Sequence, residues 1–171
     1  MGAVQRDTDR HERGEPIEDR CVGQVCFADG TRLTYESDMP APGLDGPSLQ
    51  VTGDEGVLEL ALGERVTVTN ADGTTEYAPD PDRASRSRCV AAMLDWIEGE
   101  RDDHRCSGAR AVPTMEVLMS IYESARTNGV VHAPLETRTN PLVAMIEAGE
   151  LPVERPGAYD IRIPYRSVRE E

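Results

Sequence analysis

Two helical stretches late in the chain limit its fold more than any other feature, because each carries an apolar stripe that water would penalise. The first is expected over residues 82–98, where Cys89, Met93, Trp96 and Val90, Leu94, Ile97 recur at three- and four-residue steps. Arg88, Asp95 and Glu98 point elsewhere. The second is expected over residues 110–127, with Pro113 in its first turn and Asn128-Gly129 as its stop. Its inner stripe reads Met115, Leu118/Met119, Tyr122 and Ala125. A short apolar strand, Val130-Val131-His132-Ala133-Pro134-Leu135, is expected to follow. Both stripes need a sheet to cover.

The first half supplies strand patterns. Residues 2–5 read as a short strand and residues 6–18 as a polar loop. Residues 20–28 and 31–37 flank Asp29-Gly30, a pair suited to the positive φ of a two-residue turn. That turn would set Cys26 against Leu33 and Gln24 against Tyr35. Val25 and Phe27 would then share the other face with Arg32, Thr34 and Glu36. A Pro/Gly-rich loop, residues 39–47, precedes a second meander over residues 49–52, 57–62, 64–69 and 74–77. Strands first and helices later predict an α+β fold: an open-faced, mostly antiparallel sheet with two main helices packed on one face. Residues 1–135 are read as the domain, and residues 136–171 as an extension packed on it. Within that extension Asn140-Pro141 opens a short helix, Gly149 closes it, and Tyr159, Ile161, Ile163 and Tyr165 alternate as an edge strand demoted by Pro164.

Charge narrows the partners. The net charge of -14 argues against nucleic acid and anionic membrane surfaces, since nothing here would neutralise a run of phosphates. All 18 basic residues are Arg. A GC-rich genome and an acidic, salt-adapted surface both account for this, and they are compatible. Without lysine there is no amine for a Schiff base or a lysine general acid. With no signal peptide or spanning segment legible, the expected location is the cytoplasm.

The sequence around residue 18 and the helices resembles the C-terminal domain of the glucose–fructose oxidoreductase/inositol dehydrogenase (Gfo/Idh/MocA-type) oxidoreductases. The matching stretches are Pro16-Ile17-Glu18-Asp19, Phe27-Ala28-Asp29-Gly30, Val51-Thr52-Gly53-Asp54-Glu55-Gly56, Met93-Leu94-Asp95-Trp96-Ile97 and Ile121-Tyr122-Glu123-Ser124-Ala125. Asn140-Pro141-Leu142 and Pro156-Gly157-Ala158-Tyr159-Asp160-Ile161-Arg162 look like an extension that some members carry. The resemblance implies a domain that bears on substrate, a sugar, polyol or related hydroxy compound, and that often forms the oligomer interface. NAD(P) would be held only by a nucleotide-binding partner. No glycine-rich strand–turn–helix fingerprint is present, and the Gly43 and Gly46 loop lacks its spacing. The family's Glu-Lys-Pro lysine is missing too, and no Asp-x-x-x-His proton-transfer pair is assigned, although Asp7-Thr8-Asp9-Arg10-His11 has that spacing. His104 and His132 have no aspartate four residues ahead of them. The chain therefore reads as the back half of such an enzyme, with no catalytic residue or cofactor site of its own. The alternative is a non-enzymatic binding or assembly module that kept the fold.

Residue by residue, His11, Arg13, Glu18 and Asp19 are the candidates for substrate contact. Arg32, Thr34 and Glu36 mark an interface face, filled by a second copy or by a separate Rossmann-domain chain. Among the thiols, Cys21 and Cys26 would point to opposite faces of one strand. His104 and Cys106 could converge with Cys89, but without the usual zinc spacings. The expectation is no metal and small thiols used in packing. No Gly-x-Ser-x-Gly elbow exists; Cys106-Ser107-Gly108-Ala109 and Glu123-Ser124 do not supply one.

Overall fold

A computed structural model describes residues 1–38, 48–61, 65–78 and 86–160. It divides into two compact units, one formed by Met1–Ala41 with Gly108–Glu171, the other by Pro42–Ser107. The α+β reading with open, largely antiparallel sheets holds. Among the described residues the strands form three sheets. The 39–47 loop, the residues 82–85 expected to begin the first helix, and Ile161, Ile163, Pro164 and Tyr165 lie outside the described residues.

In the first unit, β1 (Gly2–Gln5), β4 (Arg20–Cys26) and β5 (Arg32–Asp38) form one antiparallel sheet in the order β1-β4-β5. The expected polar loop is in fact a hairpin, β2 (Thr8–Glu12) and β3 (Glu15–Pro16). Its sequence hid it because the strands are short and carry no apolar alternation. The turn itself was legible in principle, since Arg13 and Gly14 take φ 56° and 85°, the pair of positive angles a two-residue hairpin turn requires. β10 (Arg155–Asp160) adds to β2 in parallel at the edge of this small sheet.

The β4–β5 register differs from expectation by one residue. Phe27 N–H donates to Thr31 C=O at 2.9 Å, and Gly30 N–H donates back to Phe27 C=O at 3.0 Å. Ala28-Asp29-Gly30 is therefore a three-residue turn, with Gly30 at φ 90°. Cys26 lies opposite Arg32, and Val25 opposite Leu33. A one-residue slip exchanges the faces. Cys21, Gly23, Val25, Leu33 and Tyr35 share the inner face, while Gln24 and Cys26, expected on the face of Leu33 and Tyr35, are exposed.

The inner face is covered by α2 (Gly108–Thr127), which packs on β1 and β4. Pro113 falls inside this helix rather than in its first turn. The buried run is Ile121-Tyr122-Glu123-Ser124, and Met115, expected in the stripe, is 50% exposed. Asn128 takes φ 50° and Gly129 N–H donates to Ser124 C=O at 3.2 Å, which closes the helix end. The expected strand at 130–135 is absent: this segment is irregular, with a cis Ala133–Pro134 bond, and Leu135 N–H donates to Glu116 Oε1 at 2.8 Å. α3 (Pro141–Glu147) is capped by Asn140 Oδ1, which accepts from Leu142 N–H at 3.0 Å. It adds Leu142 and Met145 to a core of Cys21, Ile121 and Tyr122.

In the second unit, β6 (Ser48–Thr52), β7 (Gly56–Ala61), β8 (Arg65–Asn70) and β9 (Gly73–Tyr77) form an antiparallel meander. Its register places Leu49, Val51, Leu58, Leu60, Val66, Val68, Thr75 and Tyr77 on one face, with no charged residue among them. Gln50, Glu59, Arg65, Thr67 and Glu76 take the other face. The apolar face stays open: Leu49 is 46%, Val51 51% and Tyr77 56% exposed. α1 (Arg86–Ile97) buries none of its residues; Cys89, Met93 and Trp96 are half-buried, whereas Val90, Leu94 and Ile97 are exposed.

The first unit's interior predicts how its stability depends on pH. Glu123 is buried, and the Arg126 guanidinium, 2.7 Å away through both Nε and Nη2, holds its carboxyl below the ordinary 4.5, helped by Thr137. The unfolded chain therefore takes up this proton at higher pH than the fold does. The contribution is complete above about pH 4.5 and is lost as pH falls through the lower folded value. At the other end, burial, then the Glu18 charge, pushes the Cys21 thiol from 9.0 up to about 12. Burial and the Glu18 carboxylate raise Tyr122 above its ordinary 10.0. Both groups stay protonated in the fold, so stability is full below their unfolded values and falls as pH rises past about 9. Urea unfolding across pH should show both limbs, with Glu123→Gln flattening the acid limb alone.

Candidate functional site

The four residues proposed for substrate contact lie on the β2–β3 hairpin and the bend that follows it, but two of them are occupied internally. Asp19 is 3% exposed. Its Oδ2 accepts the Thr8 N–H at 2.6 Å, its Oδ1 lies 2.7 Å from Arg10 Nε, and its own N–H donates to Gln5 C=O at 3.0 Å. It ties the hairpin to β1. Glu18 is half-buried, and its charge helps keep the buried Tyr122 hydroxyl protonated. His11 sits within β2, opposite Pro16, with Nδ1 3.7 Å from Asp9 Oδ1. Arg13 is exposed at the turn. The structure therefore brings Glu18 and Asp19 inward and leaves Arg13 outside, without gathering all four around one cleft.

Arg32, Thr34 and Glu36 do share the outer face of β5, and all three are exposed. That face is polar. Arg20 bridges to Glu36 at 2.8 Å and lies 3.7 Å from Asp38, an exposed network of the kind that contributes little to stability. The apolar open face is on β6–β9 instead. Sequence reasoning treated the strands as one sheet and so missed it, although the Leu/Val alternation that creates it was visible.

The densest chemistry lies in the second unit. Cys89 is in the first turn of α1, and residues 98–107 fold back so that His104 and Cys106 meet it. Their ligand atoms all lie within 4.8 Å of one another. Two features fix the loop: Asp103 Oδ1 accepts from the His104 N–H at 2.8 Å and from the Ser107 hydroxyl at 2.9 Å. His104 is 3% exposed and its ring stacks on Trp96, with centroids 6.1 Å apart and planes 20° from parallel. Cys106 N–H donates to Nδ1 at 3.2 Å, so in the neutral ring the proton belongs on Nε2. Nε2 faces the Cys89 carbonyl at 3.2 Å and the Cys89 sulfur at 3.9 Å. The Arg105 guanidinium holds the Cys89 thiol below its ordinary 9.0. The sequence allowed this convergence but lacked the spacing that would have predicted it.

Elsewhere, residues 53–57 and 69–72 line a shallow, open depression between two turns of the four-stranded sheet. No described helix is long and apolar enough to cross a membrane. Set against protein-family models, curated proteins and solved structures, the chain matches none of them.

Proposed function

We propose that the chain is the substrate-side and oligomerising module of an NAD(P)-dependent oxidoreductase acting on a sugar, polyol or related hydroxy compound. In this reading the dinucleotide is held by a separate half, and the chain alone is inactive. The likeness of its ordered motifs to the Gfo/Idh/MocA C-terminal domain supports the substrate class. The observation that carries the assembly role is the charge-free face of β6–β9. In a chain of net charge -14, copies repel one another except where a surface carries no charge. Leu49, Val51 and Tyr77 expose apolar area on such a surface, and high salt would screen the remaining repulsion. The occupant is a second copy of the chain, packed face to face.

The inward use of Glu18 and Asp19 favours a second reading, a non-enzymatic assembly module, because it removes two carboxylates from substrate contact. One set of measurements separates the two. The chain alone should show no saturable NADH or NADPH fluorescence change, and a micromolar site would overturn the two-part reading. Sedimentation in molar salt should show a dimer or larger, with Val51→Asp reverting to monomer. A wild-type monomer at every concentration would remove the assembly role from both. NAD(P)-linked polyol oxidation on adding a Rossmann-domain chain supports the oxidoreductase reading; its absence across sugars and polyols leaves the assembly module.

A further inference from the structure

We propose that Cys89, His104 and Cys106 form a zinc site with three protein ligands and a fourth position open to water. Two thiolates and one imidazole are a borderline-soft donor set suited to Zn²⁺, and three protein ligands plus water is the pattern of reactive rather than purely structural zinc. The geometry fits. A tetrahedral ion with Zn–S near 2.3 Å and Zn–N near 2.0 Å sets its sulfur and nitrogen about 3.5 Å apart, and its two sulfurs about 3.8 Å apart. Cys89 Sγ and His104 Nε2 are 3.9 Å apart, and all three ligand atoms fall within 4.8 Å. Closing the site through Nε2 requires movements of up to about 1 Å and a shift of the ring proton to Nδ1, which gives up both ring hydrogen bonds for the metal bond.

The surroundings are those of a built site. His104 is buried, stacked on Trp96 and fixed at its backbone by Asp103. The Arg105 guanidinium, whose charge acts on both thiols, would offset thiolate charge. Cys106 is exposed, which leaves the open position reachable. On capture two S–H bonds and the Nε2–H bond break, two Zn–S bonds and one Zn–N bond form, the ring proton moves to Nδ1, and two protons pass to the buffer; nothing is oxidised or reduced.

Trp96 is the only tryptophan, so the site has its own reporter. The reduced full-length chain, freed of metal, should take up one Co²⁺ or Zn²⁺ per chain in the micromolar range or tighter. Co²⁺ should quench Trp96 and give a thiolate-to-cobalt charge-transfer band with intense four-coordinate visible bands. Cys89→Ser and Cys106→Ser should each weaken zinc beyond the roughly 10–100-fold typical of losing a supporting contact. Cys26→Ser, remote in sequence and exposed, should change nothing. Cys106 is exposed in a loop, so its variant tests the site even if Cys89→Ser disturbs α1. The proposal fails if reduced protein takes up no metal. It also fails if bound Co²⁺ lacks the charge-transfer band, or if Cys106→Ser binds zinc as wild type does.

Discussion

Gly23→Ala is expected to destabilise the first unit by about 2–3 kcal/mol, the cost of overpacking a fitted interior. An added Cβ at Gly23 would sit 2.6, 2.8 and 2.9 Å from three side-chain carbons of Ile121. Ile121 cannot easily yield. It is β-branched, 3% exposed and held in the middle of α2. The melting temperature should drop by roughly 5–10 °C, at 2–4 °C per kcal/mol for a chain of this size. The cause is testable by rescue. Ile121→Ala alone should cost about 2–5 kcal/mol as a cavity, yet the double variant should cost less than the sum by about 1–2 kcal/mol, since the cavity accepts the new methyl. Gly2 supplies the control. Its added Cβ would fall on the Ile121 carbonyl oxygen, which truncating the side chain does not move. Gly2→Ala should therefore show little coupling to Ile121→Ala. Equal coupling at both glycines would mean that α2 shifts as a body, and that the close approach of helix to sheet is not set by Ile121.

That contact shows where sequence reading succeeds and where it stops. Local stop and start signals were legible because their chemistry is local: Asn140 caps α3, Asn128 ends α2, and Gly149 takes the positive φ that follows α3. The β4–β5 hairpin was legible in existence but not in register. Asp29-Gly30 suits a two-residue turn, whereas Phe27 and Thr31 close a three-residue one, and that single residue sends Gln24 and Cys26 outward. β2 and β3 escaped detection because Thr8–Glu12 contains no apolar alternation; they are held by the buried Asp19, a long-range device invisible to periodicity. Ile121 was missed as a core residue because its role depends on a glycine in another strand. The thiol–imidazole cluster lay at the same limit. Cys89 is on a helix and Cys106 in a loop, and only the fold of residues 98–107 makes them neighbours.

Asp19→Ala should be the other severe change, at about 3 kcal/mol, because removing one member of a buried charged pair leaves the rest unpaired. The Thr8 N–H would lose its acceptor and the half-buried Arg10 guanidinium its counter-charge, around a carboxylate that is itself 3% exposed. Asp19→Asn separates the two losses. The amide oxygen can still accept from Thr8, but the attraction to Arg10 drops, so about 1–2 kcal/mol is expected for a charge-assisted contact made neutral. Amide exchange locates the damage: the Thr8 N–H should lose protection in Asp19→Ala and keep most of it in Asp19→Asn, with β6–β9 unchanged in both. A substrate carboxylate would behave the opposite way. It would tolerate both substitutions without loss of stability, and only ligand binding would respond. If urea unfolding shows Asp19→Ala as stable as wild type, the anchoring role is wrong and Asp19 returns to the surface that meets substrate. If both variants are destabilised in the stated order, the hairpin carrying His11 and Arg13 is positioned by Asp19, and any ligand specificity there must come from those two side chains.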